Sequence, residues 1–209
     1  MTCPVRETMG PPGKARSLDL EGVLPDSGGS GTMPASLPVK PTEIFRDITP
    51  ETGAKILRHL KDNDKAAYKA CVNLLAGRRK LRPLVIERRT GAEQFEWIKN
   101  ELTRASNEDA AVEVVQAWLL GAHQDMIIRF LDFLQVPHDG RGLLETLPAE
   151  PPKEALQGAI DELFANHDPA AVAIYLNVFI EMDIAQWPVL KQLTQEDPRL
   201  CLAPQATNA

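Results

Sequence analysis

The chain has 209 residues, 44% apolar and 5% aromatic, and carries a formal net charge of -6. That length suits one domain with tails, and the apolar share is enough for a core built mainly from Leu, Ile, Val and Ala. The mild acidity gives no general drive toward nucleic acid or anionic membranes, and the apolar runs at 112–122 and 126–134 fall short of the roughly 18–20 residues that span a bilayer.

Residues 1–40 read as a disordered tail, because Pro11-Pro12-Gly13 and Ser27-Gly28-Gly29-Ser30-Gly31 are turn and linker compositions with few apolar residues. Met33-Pro34-Ala35-Ser36 is a candidate start of translation inside that tail. Order is expected from Pro41, and an all-helical domain over 41–200, since stretches of β-branched alternation are absent.

The first helical unit spans about 49–89. Thr49-Pro50-Glu51 is a helix start, with Thr as the cap, Pro at the first position and an acid in the first turn. Ile56, Leu57 and Leu60 share one face. Asp64 caps a second helix with Ala67, Cys71, Leu74 and Leu75 along its buried side, and Gly77 ends it. Arg82-Pro83 is a break, and Pro83 starts a short helix carrying Leu84, Val85 and Ile86.

The second unit covers about 90–135. Phe95, Ile98 and Leu102 form an amphipathic stripe. A helix from Ala110 to Gly121 follows, apolar on nearly every side and hence buried on several faces. A further helix at 124–134 carries Ile127, Ile128, Leu131 and Leu134. The segment 136–152 is a loop framed by Pro137, Gly140, Gly142 and Pro148, with a short helical turn expected at Leu143, Leu144 and Leu147. The third unit covers about 153–197. Leu156, Ile160, Leu163 and Phe164 form its stripe, and Asp168-Pro169 starts an apolar helix broken mainly by Asn177. A last helix carries Trp187, Val189, Leu190 and Leu193 and stops at Asp197-Pro198. Residues 201–209 are expected to fray.

A short pattern joins the helices of each unit. It reads Asn63-Asp64-Lys65-Ala66-Ala67, then Asn107-Glu108-Asp109-Ala110-Ala111, then Asn166-His167-Asp168-Pro169-Ala170-Ala171. The step between the first two copies lies in the ~40–47-residue range of HEAT- or armadillo-type solenoids. The second step is longer by roughly the length of the Pro/Gly loop. Asn and Asp are also ordinary helix caps and Ala the best helix former, so the pattern fits either a short α-solenoid or a closed helical bundle.

No family motif stands out, and none of the signatures of phosphate loops, nucleophile elbows or zinc proteases is present. Cys3, Cys71 and Cys201 are odd in number and lack zinc-ligand spacing. Cys71 is expected to be a buried thiol, and the usage fits a reducing, cytoplasmic setting. His59, His123 and His167 show no ligand spacing, so no metal or cofactor is expected.

The most unusual segment is 77–89, where Arg78, Arg79, Lys80, Arg82, Arg88 and Arg89 stand against the single acid Glu87. Arg forks suit carboxylate and phosphate, which makes this segment a candidate dock for an acidic partner. The alternative is a solvated basic face paired with acids on neighbouring helices. The segment lacks interleaved aromatics for base stacking, which counts against nucleic acid. Trp97 lies off the Phe95–Ile98–Leu102 stripe and is a candidate exposed anchor.

The leading expectation is therefore a non-catalytic scaffold that binds another protein with an acidic surface. A second expectation is an enzyme or small-molecule site beside loop 137–151, lined by His138, Asp139 and Arg141, residue types suited to acid–base or anion chemistry. A homodimer that covers terminal helices is a third.

Overall fold

The structure, a computed structural model, describes residues 40–144, 146–181 and 187–202. The expected tail, apart from Lys40, and the expected fraying beyond Leu202 lie outside them, as do Cys3 and Met33.

The described residues are all-α. The order is α1 (Pro41–Asp47), α2 (Pro50–Asn63), α3 (Lys65–Arg78), α4 (Pro83–Glu87), α5 (Gly91–Leu102), a 3-10 turn (Ala105–Asn107), α6 (Glu108–Ala122), α7 (Gln124–Phe133), α8 (Lys153–Asn166), α9 (Pro169–Glu181), α10 (Pro188–Glu196) and a second 3-10 turn (Pro198–Leu200). No helix among them is long and apolar enough to cross a membrane.

Local chemistry sets most of the boundaries. Thr49 accepts the Thr52 amide at 3.2 Å, with Pro50 at the first helical position. Thr90 and Glu93 make a reciprocal capping box at the start of α5. Asp64 accepts the Ala67 amide at 2.9 Å and Asp168 accepts the Ala170 amide at 3.2 Å. At the ends of α2 and α8, the amide groups of Asn63 and Asn166 donate to the carbonyls of His59 and Glu162, four residues back. The first and third copies of the junction pattern are thus one local device used twice. The second copy differs: Asn107 is buried in the 3-10 turn, donates to the Glu101 carbonyl at 2.7 Å and accepts from Arg78 at 2.9 Å.

Four local readings are corrected. α1 was not foreseen as a helix, yet its Ile44 and Phe45 are fully buried. α6 begins at Glu108 rather than Ala110, the two acids in its first turn favouring the helix dipole. Trp187 precedes α10 instead of lying within it. Leu143, Leu144 and Leu147 form no helical turn, because Asp139 has already claimed the local amides, as described below.

One hydrophobic cluster runs from Ile44 to Leu200. α6 is its axis, packing on α1, α2, α3, α5 and α7. α7 leads to α8, and α8, α9 and α10 pack on one another. Phe130 of α7 meets Tyr175 and Phe179 of α9 edge-on, at 5.6 and 5.7 Å between ring centres. In a solenoid each unit touches only its neighbours. Here Lys55 of α2 reaches Asp168 at the start of α9 at 2.6 Å, so the first and third units meet directly. Asn177, the polar interruption of α9, is buried and donates to the carbonyls of Ala173 and Leu200, tying the C-terminal turn to the core.

Candidate functional site

The basic segment starts where α3 ends. The Leu81 amide bonds back to the Ala76 carbonyl at 2.8 Å and the Lys80 amide to Gly77 at 3.0 Å, a Schellman turn. It holds Lys80 at φ 55, the left-handed position that usually belongs to glycine. Pro83 then opens the five-residue α4, a helix barely longer than one turn. So short a helix turns only one of three consecutive apolar residues inward. Ile86 is that residue and is buried, whereas Leu84 and Val85 are 51% and 47% exposed, beside Leu81 at 37%. The short helix expected to start at Pro83 and to carry Leu84, Val85 and Ile86 is thus present.

The cations divide into two groups. Arg78 grips both oxygens of Asp109 at 2.9 and 2.6 Å and also donates to Ser106 and Asn107. This bonding pulls the Asp109 carboxyl below its ordinary value and raises the guanidinium. Arg79 forks onto Glu101, both bonds 2.8 Å, and the Glu101 side chain is only 6% exposed. Arg104 adds a third contact to that carboxylate at 3.2 Å. Arg78 and Arg79 are thus clamps that hold α3 to α5 and α6. Arg89 lies over the Trp97 ring at 5.8 Å. Trp97 is half-buried and packed against the core, so the expected exposed anchor is instead a covered ring. The side chains of Lys80, Arg82 and Arg88 are exposed and make no hydrogen bond or ion pair with any described residue. Together with Leu81, Leu84 and Val85 they form a mixed cationic and apolar surface. The sequence reading placed Leu84 and Val85 on this helix but did not register their exposure or that of Leu81, although the Pro83 start and the break after Glu87 bound the helix tightly enough to suggest it.

Gln94 fixes this surface to the body. Its amide nitrogen donates to the carbonyls of Ile86 and Glu87 at 3.1 and 2.9 Å. Its oxygen accepts from Lys61 at 3.1 Å and from the Tyr68 hydroxyl at 3.3 Å. A single buried amide thus connects α2, α3, α4 and α5.

The loop residues do not converge on a pocket. His138 bonds Asp132 through Nε2 at 3.0 Å and accepts the Gly140 amide at Nδ1. Asp139 accepts the amides of Arg141 and Leu143 at 2.8 and 3.0 Å, and those bonds hold its carboxyl below the usual range. The Arg141 side chain is exposed. His138, Asp139 and Arg141 therefore build a closed turn, and the acid–base site expected of them is not formed. What the turn does is place Gly142 against α7 at φ +84, where an added Cβ would sit 2.5 Å from Ile127 Cγ2.

Beside the loop lies an apolar groove of about 360 Å³, walled by Val115 and Leu119 of α6, Leu131 of α7, Leu144 of the loop and Tyr175 of α9, with Pro41 at its edge. Its position agrees with the expected pocket, but its chemistry does not, since no charged side chain among the described residues lines it.

The three histidines lie close enough to feel one another. His123 stacks on Trp118 at 4.6 Å, and its pKa is lowered because burial outweighs the attraction of Asp168 and Asp125, with His59 and His167 adding repulsion. No group of three or more His, Cys, Asp or Glu among the described residues is placed to hold a metal ion. Cys71 is buried as expected, and burial pushes its thiol up to about 12.

The chain matches no protein-family model, no curated protein and no solved structure.

Proposed function

We propose that this protein is a helical interaction module without catalytic chemistry of its own, and that it docks another protein on the surface formed by residues 80–88. The observation that carries this reading is the coincidence of three uncommitted cations, Lys80, Arg82 and Arg88, with three exposed apolar side chains, Leu81, Leu84 and Val85, on a segment held rigid by Gln94 and Ile86. Exposed apolar residues flanked by charge are characteristic of recognition surfaces. Arg forks match carboxylates, so the fitting partner presents an acidic segment with apolar side chains between its acids. The overall charge of -6 opposes anionic membranes, which favours a protein partner over a lipid surface. A cytoplasmic setting accords with the free thiols of Cys71 and Cys201.

The test compares wild type with the triple variant K80E, R82E, R88E and the double variant L84S, V85S in capture from the native cell, followed by cross-linking. The reading expects one stoichiometric partner that leaves as salt rises, cross-links to residues 80–88 through an acidic segment, and is lost in both variants. A partner retained by both folded variants, or cross-linked elsewhere, refutes the surface. Binding to phosphatidylserine vesicles in place of a protein would reassign it to a membrane.

A further inference from the structure

A second surface of the protein has the chemistry that residues 80–88 require of a partner. Between α8 and α10 lies a cleft of about 380 Å³, with Ile160 and Leu193 in its lining. Asp161, Glu196 and Asp197 line it as well, against the cation Arg199. Arg199 is shared between Asp161 and Asp197, at 2.7 Å from each, and Lys153 lies 3.8 Å from Glu196. Helical spacing carries the surface outward. Glu154, Gly158 and Asp161 fall on one face of α8. Glu154 is exposed, and its side chain makes no hydrogen bond or ion pair with any described residue. At Gly158 an added Cβ would lie 3.2 Å from the Phe133 ring, so that ring rests against α8 beside the cleft. Phe133 is nonetheless 47% exposed. An exposed aromatic ring thus adjoins a cleft whose carboxylates outnumber their cations.

We infer that this surface of α7, α8 and α10 receives residues 80–88 of a second copy of the chain. This pairing rests on the reading of residues 80–88 as a docking surface and supplies its occupant. Lys80, Arg82 and Arg88 bring the positive charge that Glu154 and the cleft lack, and such complementarity favours the encounter and fixes its register. Leu81, Leu84 and Val85 bring apolar cover for Phe133 and for the Ile160 and Leu193 lining. The two surfaces belong to different parts of the fold: α4 packs on α3, whereas α8 packs on α7, α9 and α10. Pairing one with the other across copies closes into a ring or grows into an open chain. A dimer that paired residues 80–88 with themselves would instead set like cations against each other, which costs affinity.

The test is sedimentation velocity of the full chain over a concentration series, with two variants. K80E, R82E, R88E reverses the cationic surface and leaves the cleft intact. F133S, E154K alters the cleft surface and leaves residues 80–88 intact. All of these side chains are exposed, so both variants should fold, with circular dichroism and Tm close to wild type. Wild type is expected to self-associate as concentration rises and to dissociate as salt rises. Each variant alone should associate roughly 10-fold more weakly or less. An equimolar mixture of the two should recover a 1:1 complex, because one supplies the cleft and the other supplies residues 80–88. A wild type that stays monomeric overturns the pairing, as does association retained by either folded variant or a mixture that fails to pair. A monomeric chain whose capture of a different protein is lost in K80E, R82E, R88E overturns this pairing alone and leaves the docking surface standing.

Discussion

Gln94→Met is the sharpest test of how the docking surface is held. Gln94 is buried and uses both ends of its amide: two bonds go to α4 carbonyls, and two come from Lys61 and Tyr68. Methionine keeps the length and removes all four. The Ile86 carbonyl retains a bond from the Arg89 amide at 3.1 Å, so its loss is partial. The part-buried Glu87 carbonyl has no other such partner. Lys61 can turn to water. Tyr68 is half-buried, its ring 6.5 Å from that of Phe95 between centres, and its hydroxyl loses its acceptor. One unpaired carbonyl at about 1–3 kcal/mol and two weaker bonds at about 0.5–1 kcal/mol each, offset by the added apolar burial, give an expected loss of about 2–3 kcal/mol. Urea unfolding followed by circular dichroism reads that loss as a lower midpoint at unchanged slope. Hydrogen exchange should show the amides of α4 opening first, since Ile86 alone then anchors the helix. A loss under about 0.5 kcal/mol with α4 still protected would refute the claim that this amide holds the surface in place.

Gly142→Ala should destabilise by about 1–3 kcal/mol, because the residue sits at φ +84 and its Cβ would press on Ile127; an unchanged Tm would refute the close approach. His123, neutral and partly buried when folded, has its pKa lowered from 6.5. The unfolded chain therefore takes up a proton first, and stability should be level above pH 6.5 and fall as pH drops below it toward the folded value. In paired melting curves between about pH 7 and pH 5, His123→Gln should remove that part of the fall, and a variant with the wild-type slope would contradict the assignment. Cys71, with a thiol pushed up to about 12, should resist iodoacetamide at mildly alkaline pH while the exposed Cys201 reacts, as read by peptide mapping; equal labelling of the two in native protein would sink this reading.

Much of this protein was legible in its sequence because the responsible interactions are local. The caps at Thr49, Asp64, Thr90 and Asp168 involve residues two or three positions apart, and amphipathic spacing follows from helical geometry alone. Those features pointed to an all-α domain, the position of most helices and the burial of Cys71. Tertiary structure decided what each side chain does. Arg78 and Arg79 look like their neighbours in sequence, but their partners Asp109 and Glu101 lie on other helices, so only packing separates these clamps from the free Lys80, Arg82 and Arg88. His138 and Asp139 have the residue types of a site, yet local amides and Asp132 take up their bonding capacity. The groove at Tyr175 is invisible to any pattern, because its walls come from α6, α7, the loop and α9, and no local rule registers distance between elements far apart along the chain.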